Sequence, residues 1–227
     1  MSATIDEYRK LVHFLGIILG NDYEIVLHWR DSDGSYYIAE IEHSYISGRN
    51  INSPITDLAL ELVKNKTYLK QDYVSGYKAT SSGKKSVQGS TYFIKDETGT
   101  SLQGMLCINF DPSRYVQLAN SVLSLTGLDD IPIRSLVNGA HSTTESNSVE
   151  NAAIEMLHSS VDDSIRAIVD THLMDPNVTL TQETRMKIVQ ALYDKGVFQI
   201  KGALPNVAKI LNVSDQTIYR YLRMIDK

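Results

Sequence analysis

Residues 203–227, ALPNVAKILNVSDQTIYRYLRMIDK, constrain the fold more than any other stretch of this chain. Leu204, Val207, Ala208 and Leu211 recur at i, i+3, i+4 and i+7, the apolar stripe of a two-turn helix. Pro205 is tolerated near the start, where the first N–H groups have no intrahelical acceptor. Asn212 falls at a turn that needs a left-handed backbone, which Asn adopts more readily than other non-glycine residues. Val213 plugs the corner, and Ser214 caps a second helix that buries Ile218, Tyr221 and Leu222. Small Ala208 lets the two helices cross closely. This is the pattern of a helix-turn-helix, a unit that lays its second helix in the major groove of DNA.

Ser214, Asp215, Gln216, Thr217, Tyr219, Arg220 and Arg223 are left for the wet side of that second helix. Amide and guanidinium groups can read base edges with paired hydrogen bonds, while hydroxyl and basic groups hold phosphates. Asp215 suits the positive end of the helix dipole but repels phosphate, unless it accepts from a cytosine amino group.

A net charge of −5 argues against DNA binding until it is divided along the chain. Residues 1–140 carry 13 basic and 16 acidic side chains, residues 141–180 carry 1 and 7, and residues 181–227 carry 8 and 4. The positive charge therefore gathers at the helix-turn-helix, as an electrostatic footprint on DNA requires. The excess is modest, so tight binding is expected to need a homodimer. Cys107 is the only cysteine, which excludes an internal disulfide and fits a reducing compartment. No apolar run approaches the roughly 20 residues of a membrane span, and no export signal is apparent. A cytoplasmic protein without a membrane partner is expected.

Residues 6–19 read as a helix, followed by strands at 24–29, 36–41, 73–80, 90–94 and 104–110, with a helical crossover at 54–65 and a further helix at 112–125. Two strands, a crossover and three antiparallel strands are the order of a PAS-like domain. The fold class is thus α+β: an N-terminal PAS-like five-stranded antiparallel sheet with helices, plus a C-terminal all-α helix-turn-helix domain. The expected boundaries are 1–126 for the sensor, 127–153 for a polar linker, 154–175 for a connecting amphipathic helix and 176–227 for the DNA-binding domain. The connecting helix rests on Ile154, Leu157, Val161, Ile165 and Ile168, spaced 3, 4, 4 and 3.

The chain resembles bacterial transcriptional regulators of the YheO-like/DauR-like type. In the first domain the resemblance rests on Tyr23-Glu-Ile-Val-Leu-His28, Ile46-Ser-Gly-Arg49, Ser90-Thr-Tyr-Phe-Ile-Lys-Asp96 and Gly104-Met-Leu-Cys-Ile-Asn109. In the second it rests on Lys187-Ile-Val-Gln-Ala-Leu192, Gly196-Val-Phe-Gln-Ile-Lys-Gly202 and Ser214 to Leu222. Asp215, His43-Ser-Tyr45 and Phe110 depart from the pattern. The resemblance implies sequence-specific binding of double-stranded DNA by a dimer, controlled by what the PAS-like domain senses.

His28, His43, Ser47, Arg49, Ser90 and Asn109 are the candidates for binding a small-molecule ligand. Arg49 could clamp a carboxylate through its guanidinium. The alternative is a structural hydrogen-bond network joining loop to sheet. The six histidines show no metal-ligand spacing, and no phosphate-binding loop, nucleophile–base pair or cofactor motif is present. No metal, no cofactor and no enzymatic activity are expected. The competing functions are a PAS-like protein-interaction module and, behind it, a small-molecule enzyme.

Overall fold

Alternating apolar residues in the first half of the chain build one sheet with two apolar faces, each covered by a different helix. The computed structural model describes residues 4–81, 85–125, 155–169 and 180–225. Strands β1 (Tyr23–Arg30), β2 (Tyr36–Glu42), β3 (Tyr73–Ser81), β4 (Ser86–Lys95) and β5 (Leu102–Phe110) pair antiparallel in the order β2-β1-β5-β4-β3. On β1, Ile25 and Leu27 point to one face and Val26 to the other, as the period of two demands. Helix α1 (Ile5–Leu19) covers the outer face, where Val12 packs with Ile25, Leu27, Ile94 and Leu106. Its start is held by the Thr4 N–H, which donates to Glu7 Oε2 at 2.7 Å.

The inner face carries Val26, Ile38, Ala79, Phe93 and Met105. It is covered by the crossover loop and α2 (Asp57–Lys64), whose Thr56 cap accepts from the Ala59 N–H. Gly76, at φ 75°, sits in a bulge of β3 that brings Tyr77 opposite Gly89 of β4. The Tyr77 ring lies so close over Gly89 that a Cβ there would meet a ring carbon at 2.1 Å. Helix α3 (Ser113–Leu125) follows β5, and none of its side chains is buried.

The sheet has six strands where five were expected. Residues Glu155–Leu157 form β6, parallel to Ala79–Ser81 at the β3 edge, and the helix after it, α4, spans only Val161–Ile168. The apolar spacing from Leu157 to Val161 is helical by coincidence. Ser160 ends the extended segment by accepting from the Asp163 N–H, a start signal for α4 that overrides the periodicity upstream. Ser53 Oγ donates to the Ser159 carbonyl at 2.8 Å and ties this segment to the crossover loop. Residues 127–153, read as a polar linker, and the 170–175 end of the expected connecting helix lie outside the described residues.

Three further helices follow: α5 (Gln182–Asp194), α6 (Ala203–Ile210) and α7 (Asp215–Ile225). Their buried residues Leu192, Val207, Leu211, Ile218 and Tyr221 belong to the same apolar cluster as Tyr36, Leu60, Leu157 and Ile165. The helical unit thus has no separate core. Ile200 forms a parallel bridge with Tyr36 on the β2 edge, and the Lys201 N–H donates to the Tyr36 carbonyl at 3.3 Å. Lys201 Nζ reaches Asp31 at 2.5 Å, and Lys64 Nζ donates to the Asp194 carbonyl at 2.5 Å.

Gly89→Ala must displace the Tyr77 ring and is expected to cost about 1–3 kcal/mol, as overpacking does. Chemical denaturation of the variant beside the wild type measures it.

Candidate nucleic-acid interface and sensor core

The interface begins at Gly202, whose φ of 80° turns the chain into α6. Helix α6 buries Ala203, Val207 and Ala208 and ends at Leu211. Asn212 takes φ 50°, the left-handed conformation expected of it, and the Val213 N–H donates back to the Ala208 carbonyl at 2.9 Å. Ser214 Oγ then accepts from the Thr217 N–H at 3.3 Å and opens α7. On α7, Ile218 and Tyr221 are buried and Leu222 is half-buried, while Thr217 packs against the cap. Ser214, Asp215, Gln216, Tyr219, Arg220 and Arg223 are exposed. Arg220 lies 5.7 Å from the centre of the Tyr221 ring, which holds its stem against the helix while the charge stays in water. One helix face thus presents amide, phenol and two guanidinium groups, held by its apolar side.

The sensor candidates do not form a single group. Glu24, fully buried at the start of β1, is the centre of those that do meet. Arg49 Nη2 donates to Glu24 Oε1 at 2.7 Å and Asn109 Nδ2 to the same oxygen at 2.8 Å. The Ser47 hydroxyl and N–H both donate to Oε2. Ser47 Oγ in turn accepts from Arg49 Nε at 3.2 Å. This network pins the Ser47–Arg49 loop to the sheet, and Arg49 spends charge on Glu24. Periodicity alone did not single out Glu24; its signal was an acidic side chain on the inward register of a strand, in line with Val26 and His28.

His28 shares that inner face four residues further along β1. Its Nδ1, like Asn109 Oδ1, is buried without a hydrogen-bond partner among the described residues. Burial, and secondarily the Arg49 charge, pull the His28 pKa down to about 3, so the ring is neutral. The neighbouring polar chain runs from Tyr77 Oη to Thr91 Oγ1 at 2.8 Å and from there to Cys107 Sγ at 3.3 Å. Ser90 pairs with Ile108 of β5, on the face opposite Asn109. His43, at φ 54°, donates through Nδ1 to the Tyr23 carbonyl (2.7 Å) and lines an outer cleft of about 210 Å³ with His13 and Glu42. The structure therefore groups His28, Ser47, Arg49 and Asn109, and separates Ser90 and His43 from them.

Asp31, at the joint with the helical unit, has its pKa lowered first by the hydrogen bond from Lys201. The Lys201 pKa is raised by the same bond. The tie is therefore present between the two, lost in acid as Asp31 protonates below the usual carboxylate range and lost in base as Lys201 deprotonates. No group of residues suited to a metal ion occurs among the described residues. No helix among them is long and apolar enough to cross a membrane.

Sheet, crossover and reader together define a PAS-type domain joined to a helix-turn-helix DNA-binding domain. Residues 1–127 match the YheO-like PAS domain and residues 164–223 match an HTH domain. The chain is 30% identical to the uncharacterized protein YheO of Escherichia coli K12, over 96% of this chain and 83% of that protein. It is 29% identical to an uncharacterized protein of Haemophilus influenzae, over 98% of this chain and 91% of that one. The chain belongs to the YheO-like PAS family. Both matched domains are regulatory types, not enzyme families.

Glu24→Gln leaves Arg49 buried without its counter-charge and is expected to destabilise the chain by about 3 kcal/mol in chemical denaturation. His28 contributes stability that is complete above pH about 6.5 and is lost as the pH falls towards its folded pKa of about 3. Within that window its share falls by roughly 1.4 kcal/mol per pH unit. Denaturation curves from pH 7 to pH 4 for the wild type and His28→Gln should differ by a shallower pH slope in the variant.

Proposed function

We propose that this chain is a sequence-specific transcriptional regulator, acting as a homodimer on double-stranded DNA, whose PAS-type domain responds to a small metabolite. The observation that carries the reading is the exposed row Gln216, Tyr219, Arg220 and Arg223 on a helix whose opposite side is locked into the core. A helix so presented fits the major groove, with Gln216 and Arg220 reaching base edges and Ser214, Tyr219 and Arg223 reaching phosphates. A dimer places two such helices about 34 Å apart, one turn of DNA. Exposed Lys209 on α6 adds charge beside the reader.

The sensing role draws support from the inner face of the sheet. His28 Nδ1 and Asn109 Oδ1, buried without partners among the described residues, are costly unless something satisfies them. A small polar ligand between sheet and crossover loop would do so, with Ser47 and Arg49 closing over it. Ser90 and His43, from their separate positions, would take no part in that pocket. Ligand acts on DNA affinity only to the extent that it binds two arrangements of sensor and reader differently.

Selection of bound sequences from a random DNA pool tests the reading, with enrichment of one motif as the expected result. Failure to enrich any motif counts against it. On the selected sequence, Arg220→Ala is expected to weaken binding about 10- to 100-fold in a gel-shift titration, with an unchanged melting curve. Undiminished affinity would remove Arg220 from the reader. Native mass spectrometry of the gently purified chain tests for a retained small molecule.

A further inference from the structure

Helix α1 is apolar on two sides. Val12 faces the sheet, yet Leu11, Phe14, Ile17 and Ile18 point away from it, with Ile17 81% and Phe14 55% exposed. A helix apolar all round is normally covered all round. Helix α3 has the same need in sharper form. Its side chains Tyr115, Val116, Leu118 and Leu125 are all exposed, Leu118 by 65% and Leu125 by 88%. A solitary helix of this length is marginal in water, so something must pack on it.

The two helices meet the sheet at the same corner. The end of α1 and the start of α3 flank the paired residues Tyr23 and Phe110, whose rings stack at 4.8 Å. Arg114 of α3 bonds Asp22 of the α1–β1 turn at 3.2 Å, and Phe110 meets Tyr115 at 5.4 Å. The surface lies on the outer side of the sheet, whereas the helix-turn-helix packs on the α2 side and the β2 edge. Coverage of this surface leaves the reader helix unobstructed.

We infer that the outer face of α1 and the exposed side of α3 form the interface with a second copy of this chain. Composition selects that occupant. Across its thirteen residues α3 carries one charged side chain, Arg114, which is already paired with Asp22. Charge depletion marks the centre of a protein interface and excludes an electrostatically guided partner such as nucleic acid or an anionic surface. Tyr115, Leu118, Val122 and Leu125 are spaced 3, 4 and 3, the repeat with which a helix packs against an equivalent helix. Nine apolar side chains on the two helices, each leaving on the order of 100 Å² in water, reach the roughly 800 Å² per partner of a stable interface. The inference rests on the regulator reading in one respect: a reader of palindromic sites needs a second copy.

Sedimentation velocity of the full chain over a concentration series tests the surface, with Ile17→Glu and Leu118→Glu beside the wild type. The wild type is expected at twice the chain mass, and each variant is expected to dimerise at least tenfold more weakly while keeping its far-ultraviolet spectrum. Ile17→Ser and Leu118→Ser repeat the measurement where a charge unfolds the chain. A wild type at single-chain mass throughout overturns the inference and leaves residues outside the described set to cover the patch. A dimer indifferent to all four substitutions overturns it as well. The pool selection decides the regulator reading separately: a dimer disrupted by these substitutions that enriches no DNA motif keeps the interface and loses the regulator, and the reverse outcome keeps the regulator and loses the interface.

Discussion

A buried carboxylate, Glu24, organises the PAS-type half of this molecule. Four donors from three residues converge on it: Ser47 through N–H and hydroxyl, Arg49 through its guanidinium, and Asn109 from the neighbouring strand. A charge taken out of water is tolerable only when its lone pairs are met, and this geometry meets them. The consequence is positional. The crossover loop cannot leave the sheet without stripping the buried Glu24 carboxylate of its counter-charge, so α2, which follows the loop, is held at a defined place over the inner face.

From α2 the contacts continue into the DNA-binding half. Lys64 bonds the end of α5 through the Asp194 carbonyl, and Leu60 lies beside Gly196, just before the segment that bridges to Tyr36. Lys201 fastens the same segment to Asp31 and lies over the Tyr37 ring at 4.8 Å. The apolar cluster is continuous across the junction, so the two domains share one interior. Packed interiors resist gradual deformation, so the inner face of the sheet and the C-terminal helices are joined by a contiguous set of contacts.

Much of this was legible in the residues. The strands, the crossover and α1 follow from alternation and turn chemistry, and the helix-turn-helix follows from helical spacing, Asn212 and the Ser214 cap. These are local signals, each complete within about a dozen residues. β6 was missed because Leu157 stands at helical distance from Val161, and only its pairing with β3 shows the segment to be extended. Glu24 was missed because nothing beside it in sequence is its partner. Asn109 lies 85 residues away and Arg49 lies 25 away. Ser90 and His43 looked like pocket residues by position on strand and loop, but strand register turned Ser90 to the other face and a left-handed turn sent His43 to the outer corner.

The sequence by itself determined most of the elements, their order and the two helices of the helix-turn-helix, because hydrophobic period and capping act between near neighbours. Tertiary structure alone decided which polar groups share an interior, that the two domains close on a common core and that, among the described residues, two apolar helix faces stay exposed. Those outcomes depend on register and on contacts between distant segments, which no local pattern encodes.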